Sequence, residues 1–167
     1  MIFWFILFAV CPTAKGQAID EFEIKAVFIY NFTQFITWPE ESFQSPSDKF
    51  VIGVLGENVF GKSLEEAVAG EHYQSRPIVV EYYPTVKDIG RCHILYVGSF
   101  ANAGVLAGNS AALTVGDTKE FLKQKGHLRF YNEGNKIRIE INQEKATESG
   151  LTISSKLLRL ATIYKER

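Results

Sequence analysis

Four strand-like runs constrain this chain more than anything else in it: FVIGVLG at 50–56, RPIVVEYY at 76–83, CHILYVGS at 92–99 and ALTVGD at 112–117. Their centres, IGVL, PIVV, HILYV and ALTV, are apolar in both alternating phases. Successive side chains of a strand point to opposite faces, so a run that is apolar in both phases has to be covered on both. Between the runs lie segments that read as helices or turns: 59–69, closed by Gly70; 85–90; the small-residue stretch 101–109; and EFLKQK at 120–125, stopped by Gly126. Alternation of this kind predicts a parallel sheet between two helical layers.

The flanking segments complete the outline. From Ile19 to Ile36 the apolar residues are helically spaced, with Phe28, Phe32 and Phe35 on one flank and Ile24, Val27 and Tyr30 or Asn31 beside it. Asp20 with Glu23 can cap the start, and Trp38-Pro39 ends the helix. Its wide apolar coverage predicts burial on two sides, and EESFQSPSDK at 40–49 reads as a polar surface loop. In HLRFYNEGNKIRIEIN, Leu128 and Phe130, then Ile137, Ile139 and Ile141, alternate with polar residues about an NEGN turn, which predicts a hairpin with one wet face. A last helix is expected from about Thr152 to Tyr164, with Leu157, Leu158 and Ala161 lining one face and Leu160 and Tyr164 extending it. The fold class is therefore a single three-layer α/β domain with a mixed sheet, a parallel centre and a C-terminal antiparallel hairpin.

Size and charge bound the function. A chain of 167 residues holds one sizeable core, and a formal charge of −1 argues against a dedicated nucleic-acid binder. MIFWFILFAV, ten apolar residues at the start, is too short to span a bilayer but suits the core of a secretory signal, with Gly16 and Ala18 as small residues before a cut after Ala18. The basic residues that normally precede such a core are missing, and two other readings stay open: an apolar first strand, or a lipoprotein signal ending at Cys11. With residues 1–18 removed, the expected domain is 19–167, exported, with no further membrane-crossing segment. Cys92 is then the one cysteine left, and its place in an apolar run favours a buried, inert thiol over an intermolecular disulfide or a redox role. No cysteine–histidine combination has metal-ligand spacing, so no metal or cofactor is expected.

One motif points elsewhere. GENVFGKS at 56–63 satisfies every fixed position of the nucleotide-binding P-loop, with Gly56, Gly61, Lys62 and Ser63 in the roles of cradle, phosphate-binding lysine and magnesium-binding hydroxyl. Hydrolysis would also need an acidic residue at the end of a second strand, and Asp117 is the one suitable candidate, although it also reads as an ordinary strand-to-helix cap. The pattern fixes only four positions, two of them glycine, so a chance match with Val59 and Phe60 packed beneath the loop is the simpler reading. His72, His93 and His127 are scattered; His93 reads as a core histidine and His127 as an exposable one. Glu133 and Glu140 belong to the wet face of the hairpin. The chain reads as a binding or regulatory domain, not an enzyme.

KAVFIYNFTQFITWP (25–39), IGVLGENVFGKSL (52–64), CHILYVG (92–98), LTVGDTKEF (113–121) and KIRIEINQEKATESGLTISSKLLRLA (136–161) together resemble the YfiR-like family of periplasmic proteins, over about residues 22–163. The NF-x-x-F-I-x-WP start and SGL-x-I-SSKLLRLA end are the specific parts. The resemblance implies a non-catalytic periplasmic regulator, tending to homodimers, that binds the periplasmic sensor portion of an inner-membrane diguanylate cyclase and holds it inactive, lowering cyclic di-GMP and with it biofilm formation. It also gives Phe60-Gly61 a family explanation that involves no phosphate. Relatives carry stabilising disulfides; Cys92 matches one family position, but no partner cysteine remains in the mature chain. Tyr30, Phe35 and Trp38 at the end of the first helix, with Leu160 and Tyr164 near the chain end, are the candidate partner-contact residues. A periplasmic sensor of a small ligand (a nucleotide or cell-wall fragment) is the alternative reading, and a P-loop NTPase a remote one.

Overall fold

The structure, a computed structural model, describes residues 20–98 and 112–166. The leader at 1–18 and the expected helix at 101–109 lie outside them. An eight-stranded mixed sheet forms the middle layer, in the order β10-β8-β7-β6-β5-β2-β4-β3. Strands β2 (Phe50–Leu55), β4 (Arg76–Tyr83), β5 (Ile94–Gly98), β6 (Leu113–Gly116) and β7 (Leu128–Glu133) run parallel. The order reverses at β2, whose two neighbours are β4 and β5. At the edges, β3 (His72–Tyr73) is antiparallel to β4, β8 (Lys136–Ile141) is antiparallel to β7, and β10 (Thr162–Ile163) runs parallel to β8. The mixed α/β fold with a parallel centre and a late hairpin is thus the one expected from the apolar runs.

The two-phase strands feed two cores. Phe50, Ile52 and Val54 of β2 and Ile94 and Tyr96 of β5 enter the larger core, on the face covered by α1 (Glu21–Phe35) and α2 (Ser63–Val68). Val51 and Leu55, with Leu95 and Val97, face the smaller core, which Phe121 and Leu122 of α3 (Lys119–Lys123) close. Gly53 lies on this second face because the Tyr83 ring occupies the space a side chain would need: a Cβ there would come within 2.6 Å of it.

Two histidines finish strands where the ladder runs out. The Val51 N–H donates to Nδ1 of His93 at 3.0 Å, and the Thr114 N–H donates to Nδ1 of His127 at 3.1 Å. Accepting at Nδ1 requires the neutral ring, and burial favours it, holding His93 below the ordinary histidine range and His127 down at about 4. The expectation that His127 is exposable is therefore corrected: it is 5% exposed and serves as a strand cap.

Other expectations move in detail. Helix α1 is capped by Asp20, which accepts from the Phe22 N–H, and Val27 points outward at 52% exposure. The 40–49 segment is not wholly a surface loop: Ser42 is buried and Phe43 half-buried over the His93 ring. Helix α2 begins only at Ser63 because the preceding residues form a turn. Lys125, with φ of 70°, makes the left-handed turn after α3, while Gly126 follows because a Cβ there would meet the Phe121 ring at 2.3 Å. The largest correction concerns the expected helix from Thr152 to Tyr164. After α4 (Gln143–Glu148), only α5 (Ser155–Leu160) is helical in that span. Before it, β9 (Thr152–Ile153) pairs with β1 (Ile36–Thr37), and after it β10 joins β8. Backbone pairing on both sides outcompetes helix extension, with Ser154 capping the start by accepting from the Leu157 N–H.

Candidate functional site

Two surfaces stand out. The first is an apolar groove of about 250 Å³ between α1, β8 and α5, walled by Phe28, Phe32, Phe35, Ile137, Leu157 and Leu160, with Asn31 and Arg138 among its polar lining. Its construction follows from local chemistry. The β1–β9 pair and the Ser154 N–H donating to the Phe35 carbonyl at 2.8 Å tie the end of α1 to the start of α5. The pairing of β10 with β8 pins the other end of α5. A six-residue helix clamped at both ends presents Leu160 to solvent at 72% exposure. Leaving a leucine in water forgoes about 1.5–3 kcal/mol of burial, which a partner can recover.

The five candidate contact residues divide accordingly. Phe35 and Leu160 meet in the groove. Tyr30 lies on another flank, its hydroxyl donating to Glu71 at 2.6 Å, a bond that raises the phenol above its usual range. Tyr164 packs on the smaller core across the sheet, its N–H donating to the Ile141 carbonyl. Trp38 is a core residue and leaves the contact set: it is 3% exposed, its indole N–H donates to the His93 carbonyl at 2.8 Å, and its ring meets Phe50 and Tyr73 edge-on. An aromatic before proline at a helix end is equally a good interface or core residue, so the sequence alone could not separate the two.

The second surface is a cleft of about 700 Å³ at the carboxyl ends of the parallel strands, lined by Leu55 at the end of β2 and Gly56 after it, Pro84 after β4, Tyr96 to Gly98 of β5, Asp117 after β6, and Phe22, Glu57 and Val59. It sits where the strand order reverses between β2 and β5, the place where open α/β sheets form ligand crevices. Asp117 anchors its floor. The Tyr96 hydroxyl donates to one carboxylate oxygen at 2.6 Å and the Lys25 ammonium to the other at 3.1 Å. Lys25, buried on α1, also pairs with Glu21 one turn earlier at 2.7 Å, which lowers the Glu21 carboxyl below its ordinary range. Burial and then the Asp117 bond push the Tyr96 phenol far up, so it stays a donor. Asp117 is not the helix cap expected of it; Thr118 is, accepting from the Phe121 N–H. The sequence carried the Glu21–Lys25 spacing but nothing that linked it to Tyr96 and Asp117.

The P-loop-like segment borders this cleft without forming a cradle. The Gly56 N–H donates to the Tyr83 carbonyl, Val59 to Glu57, Phe60 to the Asn58 side chain and Ser63 to the Phe60 carbonyl. These amides are spent within the protein. Phe60 is buried against Tyr96, at 4.8 Å between ring centres, while Lys62 is exposed and outside the cleft lining. Cys92 is 4% exposed and its thiol is pushed up to about 12, chiefly by burial, which leaves it unreactive at neutral pH. Among the described residues no group of three histidine, cysteine, aspartate or glutamate side chains could hold a metal ion, and no helix is long and apolar enough to cross a membrane.

A family model described as YfiR/HmsC-like matches residues 22–162, and the chain belongs to that family. No curated protein matches it. Among solved structures it is similar to a conserved domain protein from Vibrio cholerae, at 13% identity and a TM-score of 0.57, over 87% of this chain and 60% of that one. It is also similar to an ABC domain in complex with L-Trp from Streptococcus pneumonia, at 14% identity and a TM-score of 0.48, over 69% of this chain and 55% of that one. The chain thus spans about 60% of the Vibrio protein's length, and at this identity the likeness bears on the fold alone.

Proposed function

We propose that this protein is an exported, non-enzymatic regulator that binds the periplasmic portion of an inner-membrane diguanylate cyclase and holds it inactive, lowering cyclic di-GMP. Residues 1–18 are removed as a secretory signal, residues 19–167 form the working domain, and the mature chain acts in the periplasm as a homodimer, without inserting into the membrane or binding nucleic acid. The observation that carries this reading is family membership over residues 22–162.

The groove supplies the physics. A partner represses an enzyme only if it binds the inactive form more tightly than the active one, and turning a mostly active population mostly inactive takes a differential of a few kcal/mol. Phe35 and Leu160, held apolar and accessible on clamped elements, are the contacts assigned to that differential. Nucleotide hydrolysis is not part of the proposal, because the Gly56, Val59, Phe60 and Ser63 amides donate within the protein and Lys62 lies outside the cleft lining.

The test is a binding titration between the purified protein and the periplasmic domain of a membrane diguanylate cyclase from the same host. Leu160→Glu should weaken binding by at least about tenfold, as loss of an interface hot spot does. Unchanged affinity in that variant would remove the groove from the account, and no binding by the unmodified protein would remove the partner.

A further inference from the structure

The cleft at the strand-order reversal carries an inference that does not depend on the cyclase. The geometry points to a binding site for a small organic cation: an apolar or aromatic body bearing one protonated amine and no anionic group. Three observations converge on this class.

First, the walls are apolar. Phe22, Leu55, Val59, Tyr96 and Val97 surround about 700 Å³, enough for a compact ligand, and Val59 at the lip is 40% exposed. Second, among the described residues the charges in the lining are all negative: Glu57 and Asp117. Lys25, bonded to Asp117 at the cleft floor, is 4% exposed and already paired with Asp117 and Glu21, so it is not offered to an incoming anion. Glu57 is exposed and makes no side-chain hydrogen bond or ion pair among the described residues, which leaves its carboxylate for a ligand ammonium. Third, among the described residues the lining offers an anion neither a lysine nor an arginine. Four loop amides are turned inward, and Lys62 does not reach the cleft. The P-loop resemblance and the site's chemistry therefore point to opposite ligand charges, and the arrangement of Glu57, Asp117 and Lys25 favours the cation.

The test sets an amine against a carboxylate on the same phenylethyl frame, with a nucleotide beside them. The purified protein is titrated calorimetrically with phenethylamine, with 3-phenylpropionate and with guanosine monophosphate. Saturable binding of the amine is expected, with neither anion binding detectably. Glu57→Gln should weaken the amine about tenfold, the loss typical of a charge-assisted hydrogen bond. Val59→Lys, which sets a competing ammonium at the lip, should weaken it further, and Lys62→Ala should leave it unchanged. Binding of the carboxylate or the nucleotide as tightly as the amine, absence of saturable amine binding, or an amine affinity indifferent to Glu57→Gln would overturn the assignment.

Discussion

At the amino ends of β2, β5 and β6 the sheet is shut by side chains, and at their carboxyl ends it opens. The shut end stacks Phe43, Phe50 and His93 at 4.5–4.7 Å, sets Trp38 edge-on to Phe50, and lays the Arg76 guanidinium 4.1 Å over Phe43. The Val51 and Thr114 amides are finished there by imidazoles. The open end replaces such packing with glycines at positive φ, Gly56 and Gly98, and leaves Val59 and Glu57 in solvent. Interior packing at protein density stabilises, whereas a preserved void lined by good hydrophobic surface forgoes stability. The contrast separates an amino end packed to hold the fold from a carboxyl end left open, where the cation site is proposed. The groove beside α5 is a third region, built like the open end: an apolar side chain kept out of the core by backbone pairing.

If that division is right, substitutions at the shut end are expensive. Trp38→Ala removes an indole from a closed aromatic cluster and should cost about 3–5 kcal/mol in urea unfolding. A cost below about 1 kcal/mol would mean that the aromatic cluster does not hold the amino end of the sheet.

Acid should act at the same end. His127 has its pKa pushed down to about 4, while in the unfolded chain a histidine titrates near its ordinary value of about 6.5. Between those values the unfolded chain binds the extra proton, so this contribution is fully present above pH 6.5 and is lost as pH falls toward 4, by about 3 kcal/mol. His93 shifts in the same direction and adds to the loss. His127→Asn, whose side-chain oxygen can accept from the Thr114 amide, should flatten the slope of stability against pH in that window. An unchanged slope would contradict the capping role.

Gly53→Ala, which drives a methyl into the Tyr83 ring, should cost about 1–3 kcal/mol by overpacking. At the open end, Glu57→Gln and Val59→Ser should leave the unfolding free energy within about 0.5 kcal/mol of the parent, because neither side chain is buried. A large loss there would blur the contrast between the two ends.

The fold was legible because its signals are local and periodic. Two-phase apolar runs announced buried parallel strands, and strict alternation in 128–141 announced the hairpin, with Glu133 opposite Lys136 about a Gly134-Asn135 turn. The terminal segment was misread because Leu157, Leu158 and Ala161 have helical spacing, while the competing pairings of Thr152 with Thr37 and Thr162 with Glu140 are long-range and leave no mark in the local pattern. Site residues divide the same way. Leu160 was recognisable as an apolar residue beyond a buried stripe. Trp38 was not recognisable as core, since its indole partner, the His93 carbonyl, is fifty-five residues away. The cleft left the weakest trace: Lys25, Tyr96 and Asp117 come from three elements, and the motif beside them, GENVFGKS, suggested the opposite ligand charge.

The central claim is regulatory, and cellular cyclic di-GMP tests it most directly. In the native host, deleting this gene should raise cyclic di-GMP, restoring the unmodified gene should lower it again, and restoring Leu160→Glu at equal protein level should not. Cyclic di-GMP that stays constant on deletion, or that the Leu160→Glu protein lowers as fully as the parent, would contradict the account.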